Sequence, residues 1–377
     1  MRQIVIVGSG FGACTAVRRL RKRGWREDIA VVAPAPELFY FPSLIWVPYG
    51  RRDERSLRID LSGFFRRHDV RFHAARATGL DAESRTLKTD AGDLRYDDLI
   101  IASGGRYLRK LPGIENAHIV CAGWAPTKAW SDAFAGMDGG RLAFGFAGNP
   151  NEPSAMRGGP VFEFLFGIDT WLRKQGRRDR FELTFFSPAP RPGARMGEKA
   201  VDRLLGEMSR RDIRTHLGHK LKGFAPGRVE TEGGGFDTDL ILFIPGMTGP
   251  DWAADSGLVL SEGGFIKADA QCRSEGQDHV FVAGDAGSFP GPDWKPKQAH
   301  MADLQAIAAV DNLLAQAAGR SATETFRTEL ICIVDSVTSG TLVYRDSKRA
   351  FQTRGPHLHW AKSLFEWNYL RPYRARS

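Results

Sequence analysis

Four cysteines could carry redox or nucleophilic sulfur chemistry in this chain: Cys14, Cys121, Cys272 and Cys332. No two of them are close in sequence, so a local CxxC motif of the zinc-binding or thioredoxin type is excluded. Four scattered cysteines in 377 residues are also too few for a disulfide framework. Their chemistry therefore depends on what the fold places beside them.

A glycine-rich turn near the start of the chain is the second feature with chemical meaning. Gly8-Ser9-Gly10-Phe11-Gly12-Ala13 fits the GxGxxA pattern. The first glycine permits a tight turn, Gly10 lets the backbone approach a pyrophosphate, and Ala13 lets the helix pack on the strand. The helix N-terminus then presents free N–H groups to the phosphates. The turn therefore predicts a dinucleotide site.

The segments around this turn predict a βαβ unit. Residues 4–7 are typical of a strand buried on both faces, residues 15–23 predict an amphipathic helix, and residues 29–32 predict the second strand. The acidic residue that usually binds ribose after the second strand is missing, because Ala33-Pro34-Ala35-Pro36 stands there. We therefore expect backbone groups or other residues to recognise the ribose.

Two later segments add to the cofactor prediction. Residues 279–290, HVFVAGDAGSFP, contain a strand that ends in Gly284-Asp285, and residues 96–104, YDDLIIASG, contain one that ends in Ala102-Ser103-Gly104. With the glycine turn, these segments resemble the flavoproteins of the disulfide reductase type, and the resemblance implies FAD. The candidate cofactor residues are Gly8, Gly10, Phe11, Gly12, Ala13, Ala33, Ala77, Ala102, Ser103, Gly104, Gly284, Asp285, Lys297 and Gln298.

A second nucleotide fingerprint is incomplete. Residues 142–149, LAFGFAGN, contain Gly145 and Gly148 but no GxGxxG, and Pro150 and Pro153 favour a loop where a helix should begin. A nicotinamide cofactor is therefore not expected. The predicted fold is α/β, with two Rossmann-like domains and a C-terminal amphipathic segment. We assign FAD binding to residues 1–108 and 245–330, a degenerate nucleotide domain to 109–244, and a membrane or quinone segment to 331–377.

Five stretches resemble the sulfide:quinone oxidoreductase and flavocytochrome c sulfide dehydrogenase family. They are FYFPSLIWVPYG (39–50), Val120-Cys121, GGPVFE (158–163), CIVD (332–335, with Gly340 and Tyr344 after it) and WAKSLFEW (360–367). The resemblance implies that sulfide attacks a protein disulfide or persulfide, and that two electrons then pass through the flavin to a quinone. It implies catalytic roles for Cys332 and Cys121, with Glu163 as a base or an orienting group.

The chain departs from that family at one position. The family's second redox cysteine falls here on Met156-Arg157. Either Cys121 replaces it, or a single thiol acts, or the sulfide chemistry has been lost. Covalent FAD attachment is not expected, since Pro42-Ser43 occupies the corresponding loop. The alternative functions are a type II NADH:quinone dehydrogenase and a flavin-binding accessory protein without turnover.

The net charge of +9 fits a basic surface or an anionic membrane partner. In residues 358–373, Trp360, Leu364, Trp367 and Leu370 fall near one helical face, and Lys362, Arg371 and Arg374 give it a basic side, as in interfacial helices. No run approaches the ~20 apolar residues of a membrane span, and no signal peptide precedes the first strand. We expect a cytoplasmic, peripheral membrane protein without a metal or nucleic-acid partner; a homo-oligomer is left open.

Overall fold

A computed structural model describes residues 2–374. The α-helices in this range are α1 (Phe11–Lys22), α2 (Glu54–Leu57), α3 (Ser62–Arg67), α4 (Trp124–Ala135), α5 (Gly159–Lys174), α6 (Glu198–Arg210), α7 (Ala299–Ala317) and α8 (Pro356–Leu370). The strands are β1 (Gln3–Val7), β2 (Asp28–Ala33), β3 (Glu37–Phe39), β4 (Arg58–Asp60), β5 (Arg71–Ala74), β6 (Ala77–Asp81), β7 (Thr86–Thr89), β8 (Leu94–Arg95), β9 (Asp98–Ile101), β10 (Arg106–Tyr107), β11 (Gly140–Phe146), β12 (Phe181–Ser187), β13 (Ile213–Leu217), β14 (Leu221–Ala225), β15 (Arg228–Thr231), β16 (Phe236–Asp237), β17 (Leu240–Ile244), β18 (Met247–Thr248), β19 (Ile266–Lys267), β20 (Val280–Val282), β21 (Gly287–Ser288), β22 (Leu330–Asp335), β23 (Gly340–Arg345) and β24 (Ala350–Gly355).

The first core is a five-stranded parallel sheet in the order β20-β9-β1-β2-β5. Its central strand β1 is apolar throughout its inner length, and Ile4, Val5 and Ile6 are fully buried, as expected for a strand covered on both faces. Helices α1 and α7 pack against each other beside this sheet. The α/β prediction is confirmed, and β20 joins the sheet although it lies far along the chain.

The second core is a four-stranded parallel sheet in the order β13-β12-β11-β17. Phenylalanine rings fill the space around it, among them Phe144, Phe162 and Phe185, all fully buried. Each parallel sheet is accompanied by a small antiparallel sheet, β6-β7-β8 with the first and β14-β15-β16 with the second. The two halves therefore repeat one architecture, in agreement with the predicted fold of two Rossmann-like domains.

The connection from β11 to α5 differs from a nucleotide-binding turn. Residues 147–158 form an irregular loop, and α5 begins only at Gly159, as Pro150 and Pro153 predicted. The ring of Phe186 lies where a Cβ on Gly145 would be, and the ring of Phe146 lies likewise against Gly158. These glycines therefore make room for aromatic packing inside the domain.

The C-terminal region contains a sheet that the sequence did not predict. Strands β22, β23 and β24 form an antiparallel meander in which Cys332 lies opposite Val343. Helix α8 packs on β22 and β23, and β22 also packs on α5. The meander therefore attaches the end of the chain to the second core and carries Cys332 to the beginning of α5.

Helix α8 confirms the amphipathic prediction only in part. Trp360, Leu364 and Trp367 are exposed, but Leu370 is fully buried in the first core, so its predicted place on the exposed face is wrong. Lys362 also does not lie on a solvated basic face, because its side chain is only 13% exposed and pairs with Glu163. Residues 2–374 contain no helix with the length and apolar composition needed to cross a membrane.

Candidate active site

The glycine turn lies at the carboxyl edge of the first sheet, between β1 and α1. Gly8 has a φ of +112°, and its N–H donates to the carbonyl of Val32 at 2.8 Å. A Cβ on Gly8 would collide with the carbonyl oxygen of Ala102. Around Gly10 the space is open, since no heavy atom would lie within 4 Å of a Cβ there. The turn is thus closed toward the sheet and open on its outer side, where a diphosphate would bind.

The other candidate cofactor residues gather at the same edge. Ala33 ends β2, and the segments Ala102-Ser103-Gly104 and Gly284-Asp285 directly follow β9 and β20. The buried hydroxyl of Ser103 has no hydrogen-bond partner in the described part of the chain. Because buried hydroxyls are nearly always satisfied, this one indicates a missing ligand group. The edge therefore fits a flavin dinucleotide.

The remaining cofactor candidates flank this edge. Phe11, Gly12 and Ala13 form the first turn of α1, and Ala77 begins β6. Gln298 is the N-cap residue of α7, and its side-chain oxygen accepts a bond from the N–H of Ile331 at 3.4 Å. Gln298 therefore also connects the cofactor edge to the strand that carries Cys332.

Replacing Gly8 by alanine is expected to weaken FAD binding by about 5- to 150-fold, because the strained φ and the collision with Ala102 together cost about 1–3 kcal/mol. The measurement is the ratio of flavin to protein absorbance after purification and dialysis. Gly24→Ala is the matched control: Gly24 has a φ of +87° but no neighbour within 4 Å of a Cβ. Equal flavin loss in both variants would contradict the assignment.

Asp285 is held between two cations. Arg157 forms an ion pair with its carboxylate and lies 3.4 Å from the hydroxyl of Tyr107. Lys297 donates to the backbone carbonyls of Gly287 at 2.7 Å and Asp285 at 3.4 Å, and burial lowers its pKa to about 8. Arg157 thus stands at the position where the family resemblance places a cysteine, and it connects the second domain to the cofactor edge.

The two candidate catalytic cysteines both lie near the beginning of α5. The sulfur of Cys332 is 3.6 Å from the position of a Cβ on Gly159, and Cys121 is buried in the short 3₁₀ turn Val120–Ala122. Both are free thiols. Burial raises the pKa of each to about 12, and the charge of Glu163 acts in the same direction on both thiols. Both thiols are therefore protonated at neutral pH and need a base.

Glu163 is that base candidate. Its carboxylate is buried, forms an ion pair with Lys362, and accepts a hydrogen bond from the N–H of Asp335 at 2.9 Å. Burial raises its pKa to about 7, although Lys362 opposes the rise. A carboxyl group that titrates near neutrality, and whose charge reaches two thiols, is a candidate acceptor for a thiol proton.

Several residues of this site were not predicted as such. Lys362 comes from α8. The buried side chains of His359 and Asp335 also belong to this region and are 2.6 Å apart, and His359 lies 2.7 Å from Arg51. The late CxxD resemblance contained Asp335, but helical periodicity placed Lys362 on the outside. Of the other cysteines, Cys14 and Cys272 are buried in the first core, and burial raises the pKa of each thiol.

Known proteins resemble this chain in sequence. The pattern described as pyridine nucleotide-disulphide oxidoreductase matches residues 2–143 and 169–306. A sulfide-quinone reductase of Aquifex aeolicus is 22% identical over 395 aligned positions, covering 98% of this chain and 90% of that protein. A mitochondrial sulfide:quinone oxidoreductase of Mus musculus is 25% identical, covering 76% of this chain and 66% of its own length.

The fold also resembles that of a solved structure. The sulfide:quinone oxidoreductase of Aquifex aeolicus superimposes with a TM-score of 0.89 at 21% sequence identity. The superposition covers 99% of this chain and 92% of that one. The likeness shows that the two chains share a fold over nearly their whole length, including the C-terminal meander and α8.

Proposed function

The chain belongs to the pyridine nucleotide-disulphide oxidoreductase family, and on this basis we propose that it is an FAD-dependent enzyme that oxidises sulfide, or a related sulfur species, with a quinone as electron acceptor. The observation that carries the proposal is the buried carboxylate of Glu163, whose charge acts on two free thiols, Cys332 and Cys121. The relatives named for sulfide:quinone chemistry support it, as does the superposition with one of them.

The cofactor would be held by the carboxyl edge of the first sheet. The glycine turn would bind the diphosphate, Ser103 and Asp285 would bind polar groups of the dinucleotide, and Lys297 would place a positive charge nearby. Bound FAD supplies a two-electron acceptor. The protein's own part is to hold the sulfur close and to manage its protons.

The proton chemistry falls to Glu163 and Lys362. Oxidation of hydrogen sulfide to zero-valent sulfur releases two electrons and two protons. Glu163 would accept the proton of the Cys332 thiol, and hydrogen sulfide would lose its proton to solvent. A sulfur–sulfur bond between the Cys332 thiolate and the hydrosulfide ion would then form as two electrons leave for the bound cofactor. When Glu163 becomes neutral, its repulsion of the thiolate disappears, while the ammonium of Lys362 still faces the negative sulfur. Throughout the proton transfer, the buried ammonium group of Lys362 therefore faces one negative charge, first on Glu163 and then on the sulfur of Cys332.

The acceptor would approach from the side of α8. Ile331, next to Cys332, is 39% exposed, and Phe365 and Trp360 on α8 are 59% and 72% exposed. Large apolar side chains are rarely exposed together on a soluble surface. We propose that this face rests in the membrane interface, where a lipid-dissolved quinone could approach the region that carries Cys332. Attachment would then be peripheral.

An anaerobic titration of the purified holoenzyme tests the proposal. Sulfide is expected to bleach the oxidised flavin band, and a ubiquinone analogue is then expected to restore it. An NADH titration of the same sample separates the main alternative, a type II NADH dehydrogenase. Bleaching by NADH with no response to sulfide would overturn the proposal.

A further inference from the structure

An open basic cleft of about 650 Å³ lies away from the sulfur site, where the ends of α5 and α6 meet the meander. Its volume is within the range of small-molecule sites. Five cations and one carboxylate line it together with two threonines; the charged residues are Arg173, Lys174, Arg210, Arg211, Arg354 and Glu207. Nothing in the proposed sulfur chemistry uses this surface, although it contains part of the chain's excess positive charge.

Two carboxylates organise the cleft without neutralising it. Glu207 accepts bonds from Arg210 at 2.8 Å, Arg211 at 2.7 Å and Arg354 at 3.1 Å. Asp169, fully buried behind the cleft, binds Arg173, Arg178 and Arg211. Cations therefore clearly outnumber carboxylates, and the guanidinium groups are held in fixed positions. Preorganised guanidinium groups with spare N–H donors are well suited to bind phosphate.

The cleft is continuous with the proposed membrane face. Arg354 precedes the first residue of α8 by two positions, and Thr338 comes from the turn between β22 and β23. The start of β23, directly after that turn, packs on α8, since a Cβ on Gly340 would lie 2.9 Å from Cβ of Leu358. Exposed Trp360 follows the start of α8 by four residues, a rise of about 6 Å along the helix. The cleft therefore lies within a short distance of an exposed aromatic residue of the proposed membrane face.

We propose that this cleft binds the phosphate headgroup of an anionic phospholipid, and that it directs α8 to negatively charged membrane surfaces. The inference rests on the membrane attachment in the proposed function and adds the class of lipid. A headgroup fits better than a free phosphate ion, because the cleft is wide, open and bordered by side chains suited to the bilayer interface.

The test is co-sedimentation of the holoenzyme with vesicles of phosphatidylcholine, with or without phosphatidylglycerol. A basic side chain near an anionic bilayer favours binding about fivefold, so Lys174→Glu with Arg210→Glu should lower partitioning onto anionic vesicles by at least about 25-fold. Binding to neutral vesicles should not change. High salt should reduce wild-type binding toward the level of the variant.

The matched control makes the same change of charge elsewhere. Lys88 and Arg95 are exposed on the antiparallel sheet β6-β7-β8. The pair Lys88→Glu with Arg95→Glu should bind anionic vesicles within about twofold of wild type, since a single exposed charge away from the bilayer is largely screened. Equal losses in the two pairs would overturn the proposal, because net charge alone would then explain binding.

Further arms distinguish the remaining outcomes. Lys174→Gln with Arg210→Gln should give an intermediate loss, and retained flavin absorbance shows that each variant is folded. Saturable binding of inorganic phosphate in a calorimetric titration, combined with no preference for anionic vesicles, would overturn the lipid assignment.

Trp360→Ser tests the membrane face separately: it should weaken binding to both kinds of vesicle. Sulfide bleaching in detergent should be unchanged in the cleft variants, so a failure of the sulfur chemistry can be distinguished from a failure here.

Discussion

Replacing Cys332 by serine is expected to slow sulfide-dependent bleaching of the flavin by at least about 10³-fold, as loss of a catalytic nucleophile does in other enzymes. The sulfur of Cys332 lies beside the beginning of α5. The charge of Glu163 raises the pKa of this thiol, and the charge of Lys362 lowers it. A serine hydroxyl can neither form a persulfide nor become an effective nucleophile at this pH. Anaerobic stopped-flow absorbance with excess sulfide measures the effect.

Two other cysteine variants make the result specific. Cys272→Ala removes a thiol that is fully buried in the first core, and it should leave the bleaching rate within about threefold of wild type. Cys121→Ser separates the remaining mechanisms: a loss as large as that of Cys332→Ser indicates that both thiols act, and a small loss indicates a single-thiol route. An unchanged rate in Cys332→Ser would remove the proposed mechanism.

Replacing Glu163 by glutamine is expected to lower the same rate by about 10²–10⁴-fold, the usual contribution of a general base. The base form of Glu163 is the carboxylate, and its pKa is raised to about 7. The wild-type rate should therefore fall as the pH drops below about 7, because Glu163 becomes protonated and can no longer accept the thiol proton. In Glu163→Gln the contribution of the enzyme to this dependence should disappear, so that the remaining profile follows the ionisation of hydrogen sulfide alone.

Glu366→Gln is the matched control for that variant. Glu366 is also a buried glutamate with a cationic partner, Arg52, at 2.7 Å, but the hydroxyl of Ser43 and not a cysteine is its neighbour. Both substitutions leave a partly buried cation without its carboxylate, Lys362 at 13% exposure and Arg52 at 25%. Both should destabilise the fold, by up to roughly 3–5 kcal/mol for Glu163→Gln and by less for Glu366→Gln. Only Glu163→Gln should change the pH profile. A similar profile change in Glu366→Gln would show that the effect is structural.

The cofactor half of this protein could be predicted from local sequence. Strand β1, the glycine turn and α1 are consecutive, so their periodicity and glycine spacing predicted the unit directly. The start of α1 differs from the prediction by four residues. The helix begins at Phe11 instead of residue 15, directly after its N-cap residue, Gly10. The apolar strands after it were predicted for the same reason, since strands buried on both faces are continuous apolar runs.

The C-terminal meander was missed because its strands are only partly buried. Ile331, Phe351 and several charged residues of β22–β24 face solvent, so the segment lacks the continuous apolar run or clean alternation that indicates a strand. Its pairing is decided by contacts with α5 and α8. The same contacts explain why Lys362 is largely buried although helical periodicity placed it on the solvated face. The carboxylate of Glu163 compensates the burial of its ammonium group.

The sequence by itself determined the class of fold and predicted the cofactor turn, because each of these depends on neighbours a few residues apart. The candidate catalytic side chains, Cys332, Cys121 and Glu163, were predicted from the family resemblance alone. Only the tertiary structure decided the environment of the thiols. Glu163, Lys362 and Cys332 come from two helices and a strand that are distant in sequence. Burial in this shared position is what raises the pKa values of Glu163 and Cys332. Arg157 likewise meets Asp285 only through packing of the two halves. Electrostatic coupling depends on distance in space, and local pattern does not specify that distance.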